Sequence, residues 1–107
     1  MRGWIGVDLD GTLAHYEGWK GIEHIGAPVP AMLKRVIGWL VQGQEVRIFT
    51  ARAATPEAIP HIKEWCKEHF GFELPITNIK DFQMIELWDD RCVQVIPNTG
   101  NPVGGAA

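Results

Sequence analysis

Trp4-Ile5-Gly6-Val7-Asp8-Leu9-Asp10-Gly11-Thr12-Leu13 is a short apolar run that ends abruptly in two carboxylates. With β-branched residues at Ile5 and Val7, residues 4–7 read as a buried strand of a parallel sheet, covered on both faces. Asp8 and Asp10 then fall at its C-terminal end. In open α/β sheets the ligand crevice lies outside the carboxyl ends of the strands, so both side chains are expected to face it. Gly11 permits the sharp exit that follows. Asp-Gly is also an ordinary turn dipeptide, so these two residues alone fit a plain turn with Asp8 as a strand-end cap equally well.

Composition narrows the choices. A chain of 107 residues has room for one domain, expected over residues 1–97, with a flexible Gly/Pro-rich tail over 98–107. Thirteen acidic against ten basic residues give a net charge of −3, which argues against holding nucleic acid by bulk electrostatics, though not against local contacts. No stretch approaches the length of a membrane span and the N-terminus lacks a signal-peptide pattern, so no membrane partner and a cytoplasmic location are expected. Cys66 and Cys92 form no C-x-x-C pair and read as buried free thiols. His15, His24, His61 and His69 show no metal-binding spacing.

Residues 14–30 carry Gly18, Gly21, Gly26, Pro28 and Pro30 without a sustained period and read as a loop. Unstructured connections beyond about 12 to 15 residues are uncommon in compact domains and are often functional. This one leaves directly from the carboxylate turn and bears Tyr16 and Trp19, which can contact a substrate or simply pack back on the body. Leu33, Val36, Ile37, Leu40 and Val41 then repeat as one face of an amphipathic helix, with Pro30 in the first turn and Gly43 just past the end. Glu45–Thr50 reads as a second parallel strand. Thr55 and Pro56 signal a second helix that runs to Gly71, except that with Pro60 either the first turn is irregular or the regular helix begins near Pro60 itself. Three further strands are expected at Ile76–Ile79, ending at Lys80, at Ile85–Trp88, ending at Asp89-Asp90, and at Cys92–Ile96. This order implies a three-layer α/β/α sandwich around a mostly parallel, Rossmann-like sheet.

Four strand ends therefore carry Asp8 with Asp10, Thr50, Lys80, and Asp89 with Asp90. Phosphoryl transfer needs a nucleophile, a cation to offset phosphate charge, donors for the equatorial oxygens and an acid for the leaving group, and this set contains each. A carboxylate can serve as covalent nucleophile. Crowded carboxylates repel unless a cation sits among them, and hard oxygen ligands of this kind suit Mg²⁺.

Asp8-Leu9-Asp10-Gly11-Thr12-Leu13 resembles the nucleophile motif of the haloacid dehalogenase-like (HAD) phosphohydrolases, and the resemblance extends through four motif blocks from Ile5 to about Val95. It implies a Mg²⁺-dependent phosphatase working through an aspartyl-phosphate. By that analogy Asp8 is nucleophile and metal ligand, while Asp10 is general acid and base and offers its backbone carbonyl to the metal. Thr50 would hold a phosphoryl oxygen, Lys80 would offset charge, and Asp89 and Asp90 would complete the metal site. Only about 20 residues separate Asp10 from the first helix, so the chain is similar to small, capless phage-type and bacterial members. Caps usually carry substrate recognition. Its absence leaves an open site, expected to take a large or extended phosphorylated substrate such as a nucleotide or a nucleic-acid end, with Tyr16 and Trp19 contacting it and a homo-oligomer as a further cover. Arg52 and Arg91 lie beside the motifs, where each could bind a second phosphate or pair with a neighbouring Asp.

Two other classes compete. Signalling receivers also place carboxylates, Thr, Lys and Mg²⁺ at the ends of a parallel sheet, but their acceptor Asp lies in mid-chain, and here no Asp occurs between Leu13 and Lys80. A non-catalytic binding module would not need the whole catalytic set.

Overall fold

The computed structural model describes residues 3–105; the first two residues of the expected domain and the last two of the expected tail lie outside them. Four strands, β1 (Trp4–Val7), β2 (Glu45–Phe49), β3 (Ile76–Thr77) and β4 (Met84–Trp88), form an all-parallel sheet in the order β3-β2-β1-β4. Two helices, α1 (Pro30–Val41) and α2 (Ile59–Phe70), fill the crossovers between β1 and β2 and between β2 and β3. No helix among the described residues is long and apolar enough to cross a membrane.

The helices share one face. From β1 to β2 to β3 the chain steps sideways in a single direction, and right-handed crossovers then put both connecting helices on the same side of the sheet. The core agrees: Ile5 and Val7 of β1 and Val46 and Ile48 of β2 join Met32 and Val36 of α1 and Ile62, Trp65 and Cys66 of α2 in one cluster. Burying each such aliphatic side chain contributes about 1.5 to 3 kcal/mol.

The opposite face is built differently. The β3–β4 connection spans only residues 78–83, with no helix in it, so a helical layer is not formed there among the described residues. Instead Trp4 is fully buried, its indole N–H donates to Asp81 Oδ1 at 2.9 Å, and the Arg47 guanidinium lies 4.4 Å from its ring. The Trp4 hydrogen bond, ahead of the nearby Arg47 charge, holds the Asp81 carboxyl below its ordinary range. A Cβ on Gly6 would come within 2.8 Å of Met84 Cε and 3.2 Å of the Trp4 ring, so the absence of a side chain lets these groups close over the middle of the sheet.

Several expectations are refined. Helix α1 buries Met32 and Val36, whereas Val41 is 82% exposed and Ile37 is at the surface; its inward stripe is set by Met32, Val36 and the half-buried Leu40 rather than by Val41. At the start of α2, 3₁₀ turns at Ala51–Ala54 and Pro56–Ala58 precede a regular helix that begins at Ile59, next to Pro60, as the second alternative has it; Pro60 sits in the first turn, where its missing N–H costs nothing. Cys66 is buried, which pushes its thiol above the ordinary value, but Cys92 is exposed.

The fifth strand expected at Cys92–Ile96 does not join the sheet. Extending a parallel sheet beyond β4 requires a crossover of a dozen or more residues, and only three separate Trp88 from Cys92. The segment folds back on the tail instead, through an antiparallel bridge between Val95 and Pro102 and hydrogen bonds from Ile96 N to Asn101 O and from Val103 N to Gln94 O, both 2.8 Å.

Candidate functional site

The exit from β1 is a tight, fully bonded turn. Leu13 N and Ala14 N donate to Leu9 O at 3.0 and 2.8 Å, and Gly11 N donates to Ala14 O at 2.8 Å. Leu9 and Leu13 are completely buried. These two apolar anchors fix the intervening backbone and leave Asp8 and Asp10, on either side of Leu9, lining a cleft of about 860 Å³ at the carboxyl edge of the sheet.

Asp89 and Asp90 arrive at the same place because β4 runs parallel to β1 and ends directly beside it, with Trp88 opposite Val7. Carboxylate oxygens of Asp8, Asp89 and Asp90 lie within 4.8 Å of one another. Burial first, then the charges of Asp89, Asp90 and Asp10 and a hydrogen bond shared with Asp90, push the Asp8 carboxyl from 3.8 up to about 7. Three hard oxygen donors that repel one another at this spacing fit a small divalent cation.

Local bonds hold the acidic pair in place. Thr12 Oγ1 donates to Asp90 Oδ1 at 3.2 Å and accepts from Asp90 N at 3.0 Å, and Asp89 Oδ1 accepts from Arg91 N at 2.8 Å. Gly11 has φ +90°, and a Cβ there would stand 2.5 Å from Asp90 Oδ2. Gly11→Ala is therefore expected to cost about 1 to 2 kcal/mol through its backbone conformation alone and to displace Asp90 from Thr12. A urea melt of the variant checks this; an unchanged midpoint would show that the turn tolerates a side chain.

The strand after α1 delivers Thr50 to the opposite wall. Thr50 is buried, its N–H donates to Thr77 O at 2.9 Å, and its Oγ1 accepts from Arg52 N at 3.2 Å. A hydroxyl that accepts there keeps its own hydrogen to donate. Tyr16 and Trp19 line the mouth of the cleft and are 48% and 58% exposed, with the Trp19 ring lying 4.8 Å from the Arg52 guanidinium. Arg91 also lines the cleft.

Of the basic residues Arg52 and Lys80, the first lines the cleft and the second does not. Arg52 is buried and grips Asp10 with two bonds, Nε to Oδ2 at 2.7 Å and Nη2 to Oδ1 at 3.0 Å; of the alternatives for this residue, pairing with a neighbouring Asp is the one realised. Lys80 is exposed and is not among the residues lining the cleft. Strand β3 stops at Thr77, whose Oγ1 accepts from Ile79 N at 3.0 Å as the chain turns toward β4, so the side chain at this strand end that faces the cleft is Asn78. Sequence reasoning passed over Asn78 and Thr12. Thr12 lay inside the stretch that decided the fold, and its position two residues before a helixless loop gave no hint of a partner 78 residues away. A second hollow of about 530 Å³, lined by Glu23, Ile25, His61, Trp65 and their neighbours, lies away from the strand-end carboxylates.

A scan against protein-family models gives no match, and a search of curated proteins gives none either. Among solved structures the chain is similar to a conserved protein coded by a locus of Bacteroides thetaiotaomicron, with a TM-score of 0.67 and 21% identity over 92% of this chain and 84% of that one. At this identity the likeness shows the fold, a small α/β domain, and nothing of what either protein does.

Proposed function

We propose that the protein is a Mg²⁺-dependent phosphomonoesterase of the HAD type, a trimmed version of that family's three-layer sandwich, acting in the cytoplasm through an aspartyl-phosphate. The observation that carries this reading is the meeting of Asp8, Asp89 and Asp90 within 4.8 Å at the floor of a cleft whose walls hold Asp10 and the Thr50 hydroxyl. When bound, Mg²⁺ would supply charge compensation between these carboxylates and the phosphate.

In this reading an Asp8 oxygen attacks phosphorus and the bond to the leaving oxygen breaks, while Asp10 delivers a proton to that oxygen. Water then attacks phosphorus, its proton passes to Asp10, and cleavage of the bond to Asp8 releases inorganic phosphate and restores the carboxylate. Thr50 donates its free hydroxyl hydrogen to a phosphoryl oxygen. The charge-offsetting role that the family resemblance gives Lys80 would require its exposed side chain, three residues beyond β3, to reach the cleft. Tyr16 and Trp19, exposed at the mouth, offer stacking surfaces for a nucleotide or nucleic-acid end, where each stacked base contributes about 1 to 3 kcal/mol.

The experiment is a panel of phosphomonoesters, including an aryl phosphate, nucleoside monophosphates and oligonucleotides with 3′- or 5′-phosphate ends, assayed with Mg²⁺. Turnover of the aryl phosphate is expected, and it should vanish in excess chelator. Full activity in chelator, or none on any substrate with Mg²⁺, would overturn the reading.

A further inference from the structure

One guanidinium holds together two parts of the cleft that the chain keeps far apart. Besides its two bonds to Asp10, Arg52 donates from Nη1 to Ile22 O at 3.3 Å and from Nη2 to His24 O at 2.9 Å, and its Cζ lies 4.8 Å from the Trp19 ring. Its own backbone is fixed by the 3₁₀ turn that Thr50 caps. The base of the 14–30 loop has separate supports, since Trp65 Nε1 donates to Gly26 O at 2.9 Å and Val29 N to Leu13 O at 2.7 Å. The tip has Arg52.

Four of the five guanidinium hydrogens are committed in this way, and the Trp19 ring covers one face, so little is left for a second phosphate. A planar fork suits the task for a specific reason. It can accept a carboxylate on one edge, backbone carbonyls on the other and an aromatic ring on its face, which a point-charge ammonium cannot do at once.

We propose that Arg52 is a positioning residue that orients the Asp10 carboxylate and the tip of the substrate loop as a single unit, so that recognition at Trp19 and proton delivery by Asp10 are mechanically joined. This rests on the phosphatase reading for its catalytic half. The structural half stands on the contacts alone, and the two are tested separately.

Hydrogen–deuterium exchange on wild type, R52A and R52K needs no activity. Both variants should exchange at least tenfold faster at His24, whose N–H donates to Gly21 O at 3.2 Å beside the carbonyls that Arg52 holds, while Val29, whose N–H donates to Leu13 O, keeps its protection. Unchanged exchange at His24 in both variants would overturn the joining of loop and carboxylate whatever the reaction proves to be. Steady-state kinetics with Mg²⁺ on a nitrophenyl phosphate and an alkyl phosphate then tests the effect on Asp10. In R52A, kcat should fall at least tenfold more for the alkyl ester, whose leaving oxygen needs the proton, than for the nitrophenyl ester. R52K should share that selectivity, and free guanidinium ion added to R52A should reverse part of it. An equal loss on both esters, or full rescue by lysine, would reduce Arg52 to a general structural or electrostatic part. Should R52A fail to fold, R52Q, which keeps a donor for one Asp10 oxygen, is judged by the same two measurements. Failure of the phosphatase reading would appear instead as a wild type inert on every ester.

Discussion

Asp8→Asn should reduce hydrolysis of a nitrophenyl phosphate by a factor on the order of a thousand or more, the scale seen when a covalent nucleophile is removed, while leaving the fold intact. The amide has nearly the shape of the carboxylate, and Asp8 N still donates to Trp88 O at 2.9 Å, so the turn has no reason to move. What is lost is the negative oxygen aimed into the cleft and one of the three donors that converge there. Quenched wild-type enzyme should carry phosphate on the tryptic peptide containing Asp8, and the variant should not. Turnover within tenfold of wild type would place the nucleophile elsewhere and leave Asp8 as a cation ligand at most.

The same substitution should raise stability in the absence of divalent cations, and the sign follows from the Asp8 carboxyl being pushed to about 7. The folded protein binds that proton more tightly than the unfolded chain does, so the contribution of the group is complete below about pH 4 and is lost as the pH rises toward 7 and through it. A tenfold change in proton affinity is worth about 1.4 kcal/mol. Solvent reaches part of the group, and screening leaves roughly 1 to 2 kcal/mol of the effect. For a domain of this size each kcal/mol moves Tm by about 4 to 8 °C. In chelator, then, the Tm of Asp8→Asn should pull ahead of wild type between pH 4 and pH 8, reaching a gap of about 4 to 16 °C, and Mg²⁺ should narrow it by stabilising only the wild type strongly. Comparing the two proteins cancels the titrating groups that do not interact with Asp8. Parallel Tm curves from pH 4 to 8 would show that burial and the neighbouring carboxylates together do not raise the Asp8 carboxyl.

Both experiments bear on the same feature, a cluster of charge that the fold does not neutralise. Natural folds seldom leave carboxylates so close without a partner, because each buried charge disfavours the next. Asp10 makes the contrast: it has Arg52 on both oxygens. Within one cleft, then, one carboxylate is paired with Arg52 while the oxygens of three others converge to within 4.8 Å of one another.

Much of this was written in the chain itself. The apolar residues of β1 and the abrupt Asp8-Leu9-Asp10-Gly11 exit define a buried strand and its functional end, since burial and the turn are both local demands. Periodicity located α1 and α2, and the charge change at Trp88-Asp89 located the end of β4. Parallel pairing then carries Asp89 and Asp90 to Asp8 with no further information. Contacts between distant segments were another matter. Whether Arg52 would bind a phosphate or an Asp depended on where the loop carbonyls of Ile22 and His24 came to lie. Lys80 reads as a strand end only if β3 is four residues long, and its pairing with β2 supports two. Cys92–Ile96 alternates like a strand, but alternation says nothing about whether a sheet edge can be reached. Local sequence determined which segments are strands and helices and where their polar ends fall, because those are short-range balances of burial and backbone bonding. The direction of each crossover, the bare second face and the choice of partner for each charge were decided by the tertiary structure, because they depend on distances that exist only once the chain has closed on itself.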